Sequence, residues 1–147
     1  MNNNLIITIG REYGTGGREI GQKLALRLGV PFYDRELITR AAKKTGFDEK
    51  LFEQLDKRAT NSFLYSLTMF GSVGLNGMSL TDQLYLAQSN IIREMAEDSS
   101  CVIVGRCADR VLRDFPNKFD FFIHGSIEDR VKRVQTCGDY VIEGKTP

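Results

Sequence analysis

The sequence predicts an α/β fold in which a parallel sheet lies between two layers of helices. Short apolar segments alternate along the chain with amphipathic segments, which is typical of parallel strands joined by crossover helices. The first apolar segment also runs directly into glycines that open a helix. A three-layer α/β/α domain with a parallel sheet is therefore expected.

The first strand and the first helix are predicted from neighbouring segments. Residues 5–9 form an almost unbroken apolar run, as in a strand buried on both faces. Residues 17–28 have the spacing of an amphipathic helix, and Gly29 follows as a terminating residue. The apolar stripe of this helix comprises Ile20, Leu24 and Leu28. Residues 30–33 then predict a short second strand.

The middle of the chain is predicted to be mainly helical. Asp34 is placed to cap a helix that ends near Lys44, and Asp48 begins another short helix. Aromatic residues alternate with glycines over residues 60–79, which fits a connection whose aromatics are covered by the core, a ligand or a partner chain. Residues 81–97 predict a long helix. Its inward stripe comprises Leu84, Ile91, Ile92 and Met95.

The last third of the chain continues the alternation. Strands are predicted at residues 101–104 and 119–124, with a helix at residues 108–115 that stops before Pro116. Ser126 begins a capping pattern for the final helix.

The loop between the first strand and the first helix has the composition of a phosphate cradle. Its central residues are Gly14, Thr15, Gly16 and Gly17. Glycine allows backbone N–H groups to turn toward an anion, and the N-terminus of the following helix adds positive potential. Arg11 and Arg18 bracket the loop with guanidinium groups, which can grip phosphate oxygens bidentately.

Other interpretations of these glycines stay open at this point. A dinucleotide-binding fingerprint, G-x-G-x-x-G, would require a glycine where Glu19 stands. A strand-to-helix turn without a ligand is the second alternative. The phosphate-loop pattern G-x-x-x-x-G-K-[ST] is itself half-matched, because Gly17 and Glu19 stand where the lysine and the hydroxyl residue would be.

Charged residues follow several predicted strands, at the edge of a parallel sheet where ligands bind. The glycine loop follows the first strand, Asp34 the second and Gly105 with Arg106 the third. His124 and the next residue follow the fourth strand. Their convergence on one edge predicts a nucleotide site.

Length and charge limit the class of protein. The 147 residues suit one domain, and a formal charge of +1 offers no large basic field for a polynucleotide. No apolar stretch approaches the roughly 20 residues that span a bilayer, so a soluble cytoplasmic protein without a membrane partner is expected. Cys101, Cys107 and Cys137 lack metal-binding spacing, so they are interpreted as reduced thiols and no metal site of the protein's own is predicted.

Several segments resemble the cytidylate kinase-like proteins, a branch of the nucleoside monophosphate kinases within the P-loop superfamily. In one-letter code they are GTGGRE at 14–19, FYDR at 32–35, VIVGRCAD at 102–109, and FIH at 122–124 leading to RVKR at 130–133. The resemblance covers about residues 5–134. It implies transfer of the γ-phosphoryl group of ATP to a pyrimidine nucleoside monophosphate with Mg²⁺, and it makes residues 35–97 a helical monophosphate-binding arm of one 1–147 domain.

The resemblance also assigns roles to individual residues. It implies that Asp34 and Arg40 hold the acceptor nucleotide, that Arg106 grips the acceptor phosphate, and that Arg130 and Arg133 lie at the base of a lid. The candidate catalytic residues are Arg18, Arg106, Arg130 and Arg133. The candidate nucleotide- and phosphate-binding residues are Arg11, Gly14, Thr15, Gly16, Gly17, Arg18, Glu19, Asp34, Arg40, Gly105 and Arg106.

The chain departs from the family pattern in two ways. The loop lysine is absent, as is common in this branch, and Cys107 replaces the aspartate of a Gly-Arg-Asp run. Residues 135–147 form an atypical tail without the family's full lid and last strand. A non-catalytic nucleotide sensor or degenerate kinase is therefore the main alternative. An interaction module that forms a homodimer through residues 63–70 is another.

Overall fold

The computed structural model describes residues 3–34, 40, 44 and 80–137. The described strands are β1 (Ile6–Arg11), β2 (Phe32–Tyr33), β3 (Cys101–Val104) and β4 (Lys118–Ile123). The described helices are α1 (Gly17–Leu28), α2 (Leu80–Asp98), α3 (Ala108–Val111) and α4 (Ile127–Thr136). The helix predicted to begin at Asp48, the segment 60–79 and residues 138–147 lie outside this description.

The chain divides into two compact units. One unit comprises Met1–Tyr33 together with Ala96–Pro147, and it contains the whole described sheet. The other comprises Asp34–Met95 and contains most of α2. Within this second unit, Lys44 Nζ lies 2.6 Å from Glu94 Oε1, and both side chains are exposed.

The described sheet is parallel throughout, with the strand order β2-β3-β1-β4. β1 is central because Ile7 pairs with Val102 on one side and with Phe119 on the other. Unbroken β-branched residues suit such a position, since both faces of the strand are covered. The predicted α/β fold with a parallel sheet is confirmed.

α1 is held against the sheet by small residues, and here the predicted stripe is partly wrong. Ile20 and Leu28 are each 43% exposed. The buried face instead comprises Gly17, Gly21 and Ala25. A Cβ atom on Gly21 would lie 2.6 Å from Val104 Cγ2, so the helix backbone approaches β3 too closely for a larger residue. The small residues Gly17, Gly21 and Ala25 recur every four positions, and this spacing, which hydrophobic periodicity ignores, indicates the buried face.

The core between α1 and the sheet is assembled from alternating strand residues. Its buried members are Ile7, Ile9, Ala25, Val102 and Val104. Leu24, Phe32 and Ile123 are partly buried and pack against them. Burial of such side chains is the main favourable term in folding, at roughly 25 cal/mol per Å² of apolar surface.

Of two further helices, α3 is shorter than expected and α2 agrees with expectation where its side chains are described. α3 ends at Val111, whereas the sequence predicts a helix to residue 115. The Arg113 N–H donates to Arg110 O at 3.4 Å and the Phe115 N–H to Leu112 O at 3.0 Å, so the chain tightens into turns before Pro116, which disfavours helical backbone at the preceding residue. In α2, Ile91, Ile92 and Met95 are buried as predicted, while the side chain of Leu84 lies outside the description.

β4 carries a charged residue that pairs with a buried threonine of β1. Thr8 is 2% exposed, and its Oγ1 hydroxyl donates to Asp120 Oδ1 at 2.5 Å. Lys118 Nζ donates to Asp120 Oδ2 at 2.5 Å. Desolvation by burial raises the pKa of Asp120, but the hydrogen bonds from Lys118 and Thr8 and the charge of Lys118 outweigh it. The pKa of Asp120 therefore lies below its ordinary value of 3.8.

We expect Asp120→Asn to reduce the acid sensitivity of the fold. Because the folded-state pKa of Asp120 is depressed, its stabilising contribution is present above the unfolded value and is lost as the pH falls through the folded value. The effect should be below about 1 kcal/mol, since the side chain is 46% exposed. Urea unfolding from pH 7 to pH 3 measures it. The free energy of unfolding of Thr8→Val should fall with decreasing pH by an amount between those of the wild type and Asp120→Asn. If it fell as much in Asp120→Asn as in the wild type, the assignment to Asp120 would be contradicted.

Candidate functional site

The glycine loop lies at the carboxyl edge of the sheet, between the segments that follow β3 and β4. The Gly105 N–H donates to Ile9 O at 2.9 Å. On the other side of β1, the Glu12 N–H donates to Ile123 O at 3.0 Å. These hydrogen bonds bring three of the predicted site segments to one edge, namely the glycine loop, Gly105-Arg106 and His124-Gly125.

Two glycines of the loop have left-handed backbone. Gly14 has φ of 83° and Gly16 has φ of 76°, and Gly16 is the N-cap residue of α1. A Cβ atom on Gly14 would lie 2.8 Å from Arg130 O. On Gly16 it would lie 2.7 Å from the guanidinium of Arg133. The left-handed conformation favours glycine at both positions, and at Gly14 the backbone of α4 also leaves no room for a side chain.

Glu12 links the glycine loop to the start of α4. Its backbone carbonyl accepts hydrogen bonds from Thr15 Oγ1 at 2.8 Å and from the Thr15 N–H at 3.4 Å. Its carboxylate accepts the Gly125 N–H at 3.2 Å and lies 3.3 Å from Arg130 Nη1. Glu12 therefore holds the loop closed as a turn and fixes its position relative to α4.

α4 directs two arginines onto the glycine loop. Ser126 caps this helix as predicted, because its Oγ accepts the Asp129 N–H at 3.1 Å. Arg130 Nε donates to Tyr13 O at 2.7 Å. One turn later, Arg133 forms an ion pair with Glu19 on the first turn of α1. A later helix thus brings two cations to a loop that lacks the lysine of the phosphate-loop pattern.

The carboxylate of Glu19 lies between two cations. Lys23 Nζ is 2.6 Å from Glu19 Oε1, and Arg133 pairs with Oε2. The hydrogen bond from Lys23, followed by the charges of Lys23 and Arg133, holds the pKa of Glu19 below its ordinary value. The predicted role of Glu19 in nucleotide binding stays a prediction, and the structure shows its side chain engaged as a counter-ion.

Arg11 and Arg18 occupy different places around the loop. The backbone of Arg11 ends β1, and a Cβ atom on Gly17 would lie 2.7 Å from Arg11 Cβ. The guanidinium of Arg11 covers Gly105 so closely that a Cβ atom there would overlap Nη1. Arg18 is exposed on the first turn of α1. Arg11 thereby connects the glycine loop with the end of β3.

A left-handed turn follows β3. Gly105, Arg106 and Cys107 have φ values of 76°, 60° and 52°. Left-handed backbone is unfavourable for arginine and cysteine, and such residues occur disproportionately at functional sites. The surrounding structure therefore holds Arg106 in a backbone conformation that is unfavourable for a residue with a side chain. Sequence patterns gave no indication of this turn.

Two concave surfaces lie near the loop. A cleft of about 440 Å³ extends from the middle of β1 and β4 to the turn after β3, and its lining includes Thr8, Arg11, Arg106 and Asp120. A more apolar groove of about 420 Å³ runs between the loop and α4. That groove is lined by Tyr13, Ile127, Arg130, Val131, Val134 and Gln135. Sequence reasoning did not identify this groove, because Tyr13 and α4 are distant along the chain.

The remaining predicted residues belong to the second unit. Asp34 directly follows β2 and is half-buried, and Arg40 is exposed with helical backbone. Their roles in binding an acceptor stay predictions. Among the described residues, no group of three or more His, Cys, Asp or Glu side chains is arranged to hold a metal ion. None of the helices in those ranges combines the length and apolar character needed to cross a membrane.

The cysteines differ in environment. Cys101 is buried in β3, and desolvation raises the pKa of its thiol to about 11. Such a thiol is a poor nucleophile at neutral pH. Cys107 is exposed and Cys137 is half-buried.

The parallel sheet, with a glycine loop before its first helix, defines an α/β fold of the nucleotide kinase-like class. The model of the cytidylate kinase-like family matches residues 6–140. The chain therefore belongs to the cytidylate kinase-like family.

A solved structure supports the same fold. The chain is similar to an uncharacterized protein from Eubacterium ventriosum ATCC 27560, with 31% sequence identity and a TM-score of 0.60. The similarity covers 90% of this chain and 60% of that protein, so the chain spans about three fifths of its length. No curated protein matches the chain.

Proposed function

We propose that this protein is a phosphotransferase that moves the γ-phosphoryl group of ATP to a pyrimidine nucleoside monophosphate. The observation that carries the proposal is the approach of two α4 arginines to a glycine loop with left-handed Gly14 and Gly16. Membership of the cytidylate kinase-like family supports the same reaction class.

The donor phosphates are assigned to the glycine loop. Gly16 and Gly17 begin α1, where backbone N–H groups and the helix dipole favour an anion. Arg133 lies against Gly16, and Arg130 is fixed by Tyr13 and Glu12, so both guanidinium groups are near the place of the phosphates. The apolar groove beside Tyr13 would receive the donor base.

The acceptor phosphate is assigned to Arg106. The left-handed turn presents this arginine at the carboxyl edge of the sheet, beside the cleft that Arg11 also lines. A guanidinium suits a phosphate dianion because it can donate two parallel hydrogen bonds. Asp34 and Arg40 retain the acceptor-binding roles that the resemblance implies.

The residues of the loop fit a polyphosphate, and they leave Mg²⁺ to be held mainly by phosphate oxygens and water, as is usual for this ion. Glu12 is engaged by Gly125 and Arg130, and the hydroxyl of Thr15, which donates to Glu12 O, keeps a lone pair that it could offer. When bound, Mg²⁺ would neutralise charge on the phosphates. The arginines orient the phosphates and stabilise charge in the transition state, which are the main tasks in phosphoryl transfer.

A non-catalytic nucleotide sensor is the second candidate. It is favoured by the missing loop lysine and by the carboxylate of Glu19, which forms an ion pair with Arg133. The third alternative, a homodimer formed through residues 63–70, concerns a segment outside the described residues.

Calorimetric titration with ATP and Mg²⁺, followed by addition of cytidine monophosphate and measurement of ADP, tests the proposal. We expect ATP binding, and ADP formation that depends on the monophosphate. Samples with ATP alone control for hydrolysis. Binding of ATP without ADP formation would favour the nucleotide sensor over the phosphotransferase. Absence of ATP binding would exclude both functions.

A further inference from the structure

Glu19 is connected to the glycine loop through Arg133. The Glu19 carboxylate is shared by Lys23, at 2.6 Å, and by the guanidinium of Arg133. Atoms Cζ, Nη2 and Nε of that guanidinium would lie 2.7–2.8 Å from a Cβ atom on Gly16. The guanidinium therefore lies against the N-cap residue of α1 and occupies space that a phosphate would need.

The two α4 arginines are held differently. Arg130 is anchored by Tyr13 O and by Glu12, and Glu12 is itself fixed by the Gly125 N–H. The pair between Arg133 and Glu19 connects two side chains that are 36% and 42% exposed. Ion pairs of this exposure are weak and are easily exchanged for a stronger anion. The Arg130–Glu12 pair is similarly exposed, at 27% and 36%, so the distinguishing contact is the hydrogen bond from Arg130 Nε to Tyr13 O. This contact keeps α4 in place while Arg133 exchanges its carboxylate partner.

We infer that Glu19 is a positioning residue that holds Arg133 over Gly16 in the nucleotide-free protein and releases it to an incoming polyphosphate. This inference rests on the proposed function. Lys23 makes the exchange feasible because it remains beside Glu19 after Arg133 has turned to the phosphate. A polyphosphate carries more negative charge than one carboxylate and offers bidentate acceptors, so it competes effectively for the guanidinium.

The simpler explanation is that Glu19 only stabilises α1. An acidic residue in the first helical turn interacts favourably with the helix dipole, and a Glu-Lys pair at four-residue spacing stabilises a helix. In that case replacing Glu19 would lower thermal stability and leave anion affinity unaffected. The two explanations therefore differ in whether replacing Glu19 raises the affinity for an anion or leaves it unchanged.

Tripolyphosphate binding to Glu19→Gln, measured by calorimetry, distinguishes these explanations. We expect Glu19→Gln to bind tripolyphosphate about three- to fivefold more tightly than the wild type, because the competing carboxylate is gone. Asp114→Asn is the matched control. It also removes one negative charge, but from an exposed side chain that precedes β4, at the amino end of the sheet. Its affinity should equal that of the wild type.

Lys23→Gln provides a second test through a double-mutant cycle. Without Lys23, Arg133 is the remaining cation of the two that share the Glu19 carboxylate, so it is held more firmly. Lys23→Gln alone should therefore lower the affinity for tripolyphosphate about threefold, and the same change should have a clearly smaller effect when added to Glu19→Gln. If the wild type binds tripolyphosphate and Glu19→Gln binds it no more tightly, the inference is overturned and the proposed function stays intact. Failure of every variant to bind tripolyphosphate would instead overturn the proposed function, and the inference with it.

Discussion

Gly16→Ala should lower the affinity for ATP by about 30- to 100-fold or more. The backbone of Gly16 is left-handed, with φ of 76°. The Cβ atom of an alanine at this position would enter the space that the Arg133 guanidinium now fills. A phosphate that replaces the guanidinium would meet the same methyl group and lose hydrogen bonds from the loop. Hydrogen bonds to charged groups are worth about 1.5–3 kcal/mol each, which corresponds to the expected loss.

Gly29→Ala is the matched control for this prediction. Gly29 ends the same helix with φ of 65°, and a Cβ atom there would meet nothing within 4 Å. Both variants carry alanine in a left-handed conformation, at a cost of about 1–2 kcal/mol in stability. Calorimetry with ATP and thermal unfolding on both proteins separate binding from stability. Equal ATP affinity in Gly16→Ala and Gly29→Ala would show that the glycine loop is not the site.

The order of the elements was predictable because each is encoded locally. The alternation of apolar strands with helices gave the parallel sheet, Gly29 gave the end of α1, and Ser126 gave the start of α4. The glycine loop was identified for the same reason, since strand, glycines and helix are contiguous. Local patterns also placed the charged residues at the carboxyl edge, because in a parallel sheet all strands end there.

Features that depend on contacts distant along the chain were not predictable. Hydrophobic periodicity assigned Ile20 and Leu28 to the core, but both side chains are exposed. The helix face that packs against Val104 carries Gly21, because the backbones approach too closely there for a larger residue. Likewise, the sequence places Glu19 beside the loop, but its pairing with Arg133 spans more than a hundred residues. The resemblance assigned Arg133 to the base of a lid, and only the structure shows its guanidinium lying against Gly16 of the glycine loop.

Arg106→Gly should lower the affinity for a nucleoside monophosphate by about 10- to 100-fold without destabilising the fold. Removal of the guanidinium costs a charge-assisted hydrogen-bonding group, at about 1.5–3 kcal/mol. Glycine at the same time relieves the left-handed strain at φ of 60°, which offsets other losses of stability. Equilibrium titration with cytidine monophosphate and thermal unfolding measure the two effects separately.

Cys107→Gly separates the strain of the turn from the charge of Arg106. Cys107 shares the left-handed backbone, with φ of 52°, and its side chain is exposed, so glycine should raise the melting temperature by roughly 2–4 °C. Monophosphate affinity should be retained, because the guanidinium of Arg106 is untouched. If Cys107→Gly also lost affinity, the rigid turn itself would matter for binding. If Arg106→Gly bound as tightly as the wild type, the strained arginine would have no part in recognising the acceptor.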